Sequence, residues 1–346
     1  MVKKYFEINN PKSKEAEKVV KNNKKIDNLI RKNKIPSNIL KENSVNLVVL
    51  LQGKDKGNKA CNYNCDICYT KDRFNEDGLI GEQIIELVSE SKKLGAKGLY
   101  IPGIGEPTKS KAFWKYLKAE KEFPTLIFTN GSYIYDQELQ NEVGLNLNEL
   151  LDTVKESNLH QYVKFWTTDK EKAKKMYGVE VPYVERNGTN IPYALDVMLD
   201  NIPKDRLGVE VALRKDNIDE IEEIVEFCER ELIRCFIEPV IDVKWAPKVQ
   251  LSKEEILKYK SILAISDGGN YCKDRASRDL VVNINTISPC IVFPKLDKYS
   301  ILENEKVKPA DKIFEMFHDE SYRQIRTNYG GNCICSGVLS GEIQWS

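Results

Sequence analysis

The chain predicts an α/β protein made of parallel strand and helix units, arranged as a partial (β/α)6 barrel. Past residue 45, short apolar runs of strand character alternate with stretches of helical periodicity, the order that βαβ units produce. Six such runs occur, too few for a closed eight-stranded barrel. No internal repeat or long Pro/Gly linker breaks the alternation, and 346 residues with 41% hydrophobic content can bury a large core beside a smaller domain.

The elements follow in order. Residues 1–44 form a basic extension: the first 43 carry 12 Lys/Arg against 5 Asp/Glu, although the whole chain is neutral. Within it, Ala16, Val19, Val20, Ile26, Leu29 and Ile30 fall near helical spacing between Ser13 and Lys34, before Pro36 turns the chain. Such a Lys/Asn-rich segment is more often a solvated face than a docking arm. The barrel region, residues 45–245, has candidate strands at Val45–Leu51, Gly98–Pro102, Thr125–Thr129, Tyr162–Trp166, Leu207–Leu213 and Cys235–Pro239. Helical patterns lie around Glu82–Lys93, Ser110–Lys121, Gln137–Val154, Lys170–Tyr177 and Asp219–Glu231, the last opened by Asn217 as a cap with Glu220 three places on. Residues 246–346 form a small cysteine-rich α+β tail.

Chemistry concentrates after the first strand, where Cys61, Cys65 and Cys68 stand in CNYNCDICYT. Thiolates are soft ligands suited to iron-sulfur clusters, and a closed cubane takes four of them. Three from one tight loop leave one iron open, as a catalytic metal keeps a vacant position. A zinc knuckle is the bland alternative. It needs a fourth ligand close by, whereas the next cysteine is Cys228 and the two histidines are His160 and His318. A remote zinc ligand stays open.

The C-x3-C-x2-C spacing on a loop after a first strand resembles the signature of radical S-adenosylmethionine (radical SAM) enzymes. The resemblance implies a TIM-like partial barrel, a [4Fe-4S] cluster on the three cysteines, and S-adenosylmethionine bound at the open iron and cleaved to a 5'-deoxyadenosyl radical. The position before the third cysteine is often aromatic in that family. Here it is Ile67, with Tyr69 beyond. The second strand ends in IPGIGEP, similar to the family's Gly-Gly-Glu-Pro element with Ile104 in place of the first paired glycine. Gly103 and Gly105 then allow close backbone approach, and Glu106 accepts from the cofactor's amino group. FTNG at the third strand end places Asn130 and Gly131 where relatives carry similar residues. Thr167, Thr168 and Asp169 after the fourth read equally as ribose contacts or as a helix cap. Arg214 after the fifth suits a carboxylate, and in relatives an arginine nearby meets that of the cofactor.

A second set, Cys272, Cys290, Cys333 and Cys335, is spaced by 18, 43 and 2. By spacing alone these are as readily buried free thiols as ligands. The stretch ending in Pro289 and Cys290, which looks like a hairpin, and the segment YRQIR before the final pair resemble the C-terminal SPASM or shortened twitch extension. That implies a second, auxiliary [4Fe-4S] cluster. Cys228 and Cys235 read as bystanders.

With four thiolates the auxiliary cluster has no open iron, so its role is to move an electron. The leading expectation is a radical SAM oxidoreductase whose auxiliary cluster accepts the electron left after hydrogen abstraction, served by a low-potential donor such as flavodoxin or ferredoxin. Glu210 and Glu238 lie near strand ends as carboxylates, and neither is singled out as the base. The alternative is a maturase acting on a peptide or protein side chain, the basic N-terminus docking an acidic leader. RNA modification lacks a dense Arg/aromatic patch, and an iron-sulfur carrier would not need Glu106 or Arg214. Val45–Leu51 is too short to cross a bilayer and MVKKYFEINN lacks a signal-peptide core, so a cytoplasmic protein with free thiols is expected.

Overall fold

The computed structural model describes residues 45–50, 60–68, 70–71, 79, 81–93, 96–240, 247–258, 279–283, 286–288, 302–303 and 306–307. The N-terminal extension, Tyr69 and Cys272, Cys290, Cys333 and Cys335 lie outside the described residues. The chain divides into two compact units, residues 1–50, 85–100 and 265–346 in one and residues 51–84 and 101–264 in the other.

In the first unit, β1 (Val45–Leu50) runs parallel to β2 (Ala96–Ile101), with Val45 opposite Ala96 and a register shift before Leu47 meets Leu99. On its other side β1 pairs in parallel with β9 (Asp279–Asn283), which turns back into β10 (Thr286–Ser288) as an antiparallel hairpin. The hairpin expected just before Pro289 and Cys290 is therefore present. A two-residue ladder joins β11 (Leu302–Glu303) to β12 (Lys306–Val307).

The second unit carries β3 (Thr125–Thr129), β4 (Leu159–Lys164), β7 (Leu207–Leu213) and β8 (Arg234–Pro239), paired in that order and all parallel. These strands read as near-continuous apolar runs because parallel strands are covered on both faces. In β7 the burial is interrupted at Glu210. Helical crossovers join them: α2 (Lys111–Ala119), α3 (Gln137–Val143), α4 (Leu147–Glu156), α5 (Lys170–Tyr177), α6 (Tyr193–Asn201) and α7 (Ile221–Glu231). The helix α1 (Gly81–Lys93) precedes β2, and α8 (Lys253–Lys258) follows β8. This mixed α/β arrangement of parallel strands is consistent with the expected partial TIM-like fold.

Several boundaries differ from the sequence reading. The helix expected over Gln137–Val154 is two helices, because α3 stops at Gly144, whose N–H bonds back to Gln140 and Asn141, and Asn146 with Glu149 forms a capping box that starts α4. The fourth strand begins at Leu159 and ends at Lys164. Its polar opening, His160 and Gln161, masked the start, and beyond its end the Trp166 N–H bonds to the Tyr177 hydroxyl. A hairpin of β5 (Tyr183–Arg186) and β6 (Thr189–Pro192), held to α6 by Arg186 bonds to Asp196 and Asp200, has no counterpart in the sequence reading. Asn217 is not the α7 cap: its side chain accepts from the Arg214 N–H and donates to the carbonyls of Trp166 and Ala212, while Glu220 occupies the N-cap. A buried side-chain amide that closes three backbone groups is worth more there than at a helix end.

Candidate functional site

All three cysteines of the 61–68 loop lie in the second unit. Their loop is anchored on every side by groups that are not thiols. At its start, the Glu106 N–H bonds to the Ala60 carbonyl at 2.9 Å. Gly105, at φ +84°, makes this approach possible, since a Cβ there would sit 2.1 Å from the Ala60 oxygen. Asn62 donates to Asp136 at 2.6 Å and accepts from the Asn130 side chain at 2.9 Å. The Tyr63 and Tyr135 hydroxyls share a 2.6 Å hydrogen bond.

The far side is held by α5. The Asn64 N–H bonds to the Tyr177 carbonyl at 2.9 Å and the Asp66 N–H to that of Met176 at 3.1 Å. Gly178, the left-handed cap at φ +65°, leaves room for this contact; a Cβ would meet the Asn64 oxygen at 2.5 Å. Asp66 also takes a bidentate bond from Arg214, with both N–O distances at 2.7 Å. The loop thus holds its shape through backbone and ion-pair contacts, leaving the sulfurs for other partners.

Cys65 is buried, while Cys61 and Cys68 are half-buried. Among the described residues their sulfurs hydrogen-bond as follows: the Tyr63 N–H to Cys61 Sγ at 3.4 Å, Cys68 Sγ with Thr70 Oγ1 at 3.4 Å, and the Lys164 ammonium to Cys65 Sγ at 3.9 Å. Burial pushes the Cys61 thiol up to about 12 and also raises that of Cys65, with Lys164 opposing both. For Lys164, burial favours the neutral amine, and negative charge on Cys65, Glu210, Cys61 and Cys68 favours the ammonium, the cysteine part arising once those thiols are deprotonated. The Lys164 ammonium lies beside the Cys65 sulfur. It lies 5.1 Å from the Trp166 ring, whose Nε1–H donates to Glu210 at 2.9 Å. Burial raises the Glu210 pKa, while Lys164 and the indole bond oppose the rise.

The donor set fits a thiolate-bound cluster. Buried thiols stay protonated until a metal displaces the protons, so uptake releases protons. Among the described residues no three His, Cys, Asp or Glu side chains form a group that could hold a single ion. A cubane takes its thiolates at separate corners, so its ligands stand wider apart than those of one ion. Ile67 packs on the apolar cluster of Tyr63, Trp166 and Tyr177, beside Cys61 and Cys68.

Of the other sequence-predicted residues, Gly105, Glu106, Asn130 and Arg214 contact this loop, and the polar side chains among them are engaged by the protein. Glu106 is 2% exposed and accepts from the Thr108 N–H and hydroxyl, the Thr129 hydroxyl and the Asn130 N–H. It ties the loop after β2 to the end of β3. Gly103 has φ +82° and the Asn130 side chain accepts from the Ser132 N–H. The Thr167 and Thr168 hydroxyls both donate to Glu220, which also pairs with Lys172 at 2.7 Å, and Asp169 caps α5. Arg214 is 1% exposed and grips Asp216 as well as Asp66. Cys228 and Cys235 hydrogen-bond to each other, which with burial raises the Cys228 pKa. Lys164, Asp66 and Tyr177 are site residues that sequence reasoning missed. A cation closing the apolar strand LHQYVK was a usable signal for the first.

No protein-family model and no curated protein matches the chain. Among solved structures, Streptococcus suis SuiB bound to precursor peptide SuiA matches with a TM-score of 0.55 at 15% identity, over 82% of this chain and 67% of that one. SuiB bound to S-adenosylmethionine matches with a TM-score of 0.54 at 16% identity, over 82% of this chain and 66% of SuiB. At that identity the likeness establishes a shared fold, and this chain spans about two thirds of SuiB's length.

Proposed function

We propose that the chain is a radical SAM enzyme that modifies a peptide. The observation that carries the reading is three cysteines presented by one loop that is anchored through other atoms, with the Lys164 ammonium beside Cys65. Cys61, Cys65 and Cys68 hold the [4Fe-4S] cluster. The reduced cluster would supply one electron to bound S-adenosylmethionine, whose C–S bond would break to methionine and a 5'-deoxyadenosyl radical able to abstract hydrogen. Gly103, Gly105, Glu106, Asn130, Thr167 and Thr168 line the cofactor's place, chiefly through backbone, since their polar side chains already have protein partners. Arg214 acts through Asp66 on the cysteine loop. A peptide is favoured over a small molecule by the fold shared with SuiB, whose structures hold a precursor peptide and S-adenosylmethionine.

In this proposal residues 1–44 are an extension, 45–245 the catalytic barrel, and 246–346 a domain whose Cys272, Cys290, Cys333 and Cys335 hold an auxiliary [4Fe-4S] cluster. A low-potential donor such as flavodoxin or ferredoxin reduces the enzyme. The test is anaerobic reconstitution followed by S-adenosylmethionine and dithionite. Formation of 5'-deoxyadenosine in the full chain, and its loss in Cys65→Ala at unchanged circular dichroism, is expected. An iron-loaded chain that releases no 5'-deoxyadenosine would remove the reading.

A further inference from the structure

We infer that Lys164 sets the reduction potential of the cluster held by Cys61, Cys65 and Cys68, acting as a fixed positive charge beside its sulfurs. The inference rests on the reading above and goes beyond it by assigning a positioned charge to a residue that holds neither metal nor substrate.

Lys164 closes β4, directly opposite Glu210 of β7 in the parallel ladder. An ammonium carries three N–H donors and normally fills them with carboxylates, carbonyls or water. Among the described residues, its hydrogen-bond acceptor is Cys65 Sγ at 3.9 Å, and it makes no ion pair. It also lies over the Trp166 ring, a cation–π contact at 5.1 Å. Trp166 is 3% exposed and pinned at both ends, its N–H to the Tyr177 hydroxyl and its indole to Glu210. The charge is thus held in place beside Cys65, with the Glu210 carboxylate opposite it across the β4–β7 ladder.

The sign follows from electrostatics. A cluster gains one negative charge on reduction, and a nearby cation stabilises the more negative form, so the potential rises. An indole face and a thiol are weak partners for an ammonium, and thiolate formation at Cys65 strengthens the contact.

The experiment is an EPR-monitored redox titration of reconstituted full-length protein, following the cluster whose reduced signal changes when S-adenosylmethionine is added. At the potential where the native cluster is half reduced, the reduced-to-oxidised ratio of Lys164→Gln should fall at least tenfold, a downward shift of ~59 mV for one electron. Lys164→Arg, keeping the charge, should restore most of it. An unchanged potential in Lys164→Gln overturns the inference, as does a change confined to S-adenosylmethionine affinity. If Lys164→Gln holds no iron while Lys164→Arg does, the cation serves assembly and the inference also falls. A native protein lacking any cluster responsive to S-adenosylmethionine would instead refute the underlying assignment of the three cysteines, which separates the two failures.

Discussion

Arg214 sits at the end of β7 with its guanidinium divided between Asp66 and Asp216. Planar, bidentate pairing suits arginine and is lost in lysine, whose ammonium cannot form the fork. Arg214→Met should lower unfolding free energy by ~2–3 kcal/mol, the scale of hydrogen bonds to a charged group, measured by urea denaturation. The same variant should take up less iron on reconstitution, because Asp66 lies between Cys65 and Cys68. Full iron loading with native stability would show that the pair is ornamental. His160 makes a separate prediction. Burial, then the positive charges of Arg234 and Arg206, hold its pKa down to about 4 from the ordinary 6.5. Below pH ~6.5 the unfolded chain takes up the proton first, so the stability due to a neutral His160 is complete above that value and declines toward pH 4. The loss should reach about 3 kcal/mol at the low end. His160→Gln should show a correspondingly flatter dependence of the urea midpoint between those values; equal slopes would refute it.

Elements show how the site is shaped by their ends. The α5 terminus offers the carbonyls of Met176 and Tyr177 to the cysteine loop, and Gly178 lets the chain leave. Gly178→Ala should cost ~1–2 kcal/mol, from left-handed backbone strain and the clash with Asn64, and should reduce iron occupancy together with stability. By contrast, α7 ends on Leu232 at φ +58° and 78% exposed, an unfavourable residue for that conformation. Leu232→Asn should raise unfolding free energy by ~0.5–1 kcal/mol in thermal or urea denaturation without altering iron content. A destabilised variant would mean that the leucine makes a contact beyond the helix end. Strands with continuous apolar runs, Thr125–Thr129 and Leu207–Leu213, were legible in the sequence because burial on both faces requires that pattern. The β4 start was not, since His160 and Gln161 are polar residues made acceptable by tertiary burial. The α3–α4 break depended on Gly144 and the Asn146 box, both readable as stop and start signals but overridden by the helical period around them.

At the scale of the molecule, the cysteine loop was legible because a metal-ligand spacing is local. The anchors were not, since Asp66 and Arg214 stand 148 positions apart and meet through the order of the strands. Lys164 is in the same position relative to Cys65, 99 positions away. Fold and ligand set therefore separate: the ligands can be read along the chain, and their charge environment requires the sheet. On the proposed two-cluster reading, reconstituted protein should hold about eight irons, falling by about four in the Cys333→Ala/Cys335→Ala double variant. Iron assay with Mössbauer spectroscopy checks this, and a native content near four would restrict the chain to one cluster. No helix among the described residues is long and apolar enough to cross a membrane.

The bonds that brace the 61–68 loop involve Ala60, Asn62, Tyr63, Asn64 and Asp66, none of which touches metal in the proposed arrangement. Oxygen damage that strips the inorganic sulfide and iron would therefore leave the receptacle standing. A molecule emptied by air becomes a refillable mould, so a cell could salvage it by resupplying mineral components instead of synthesising a new polypeptide.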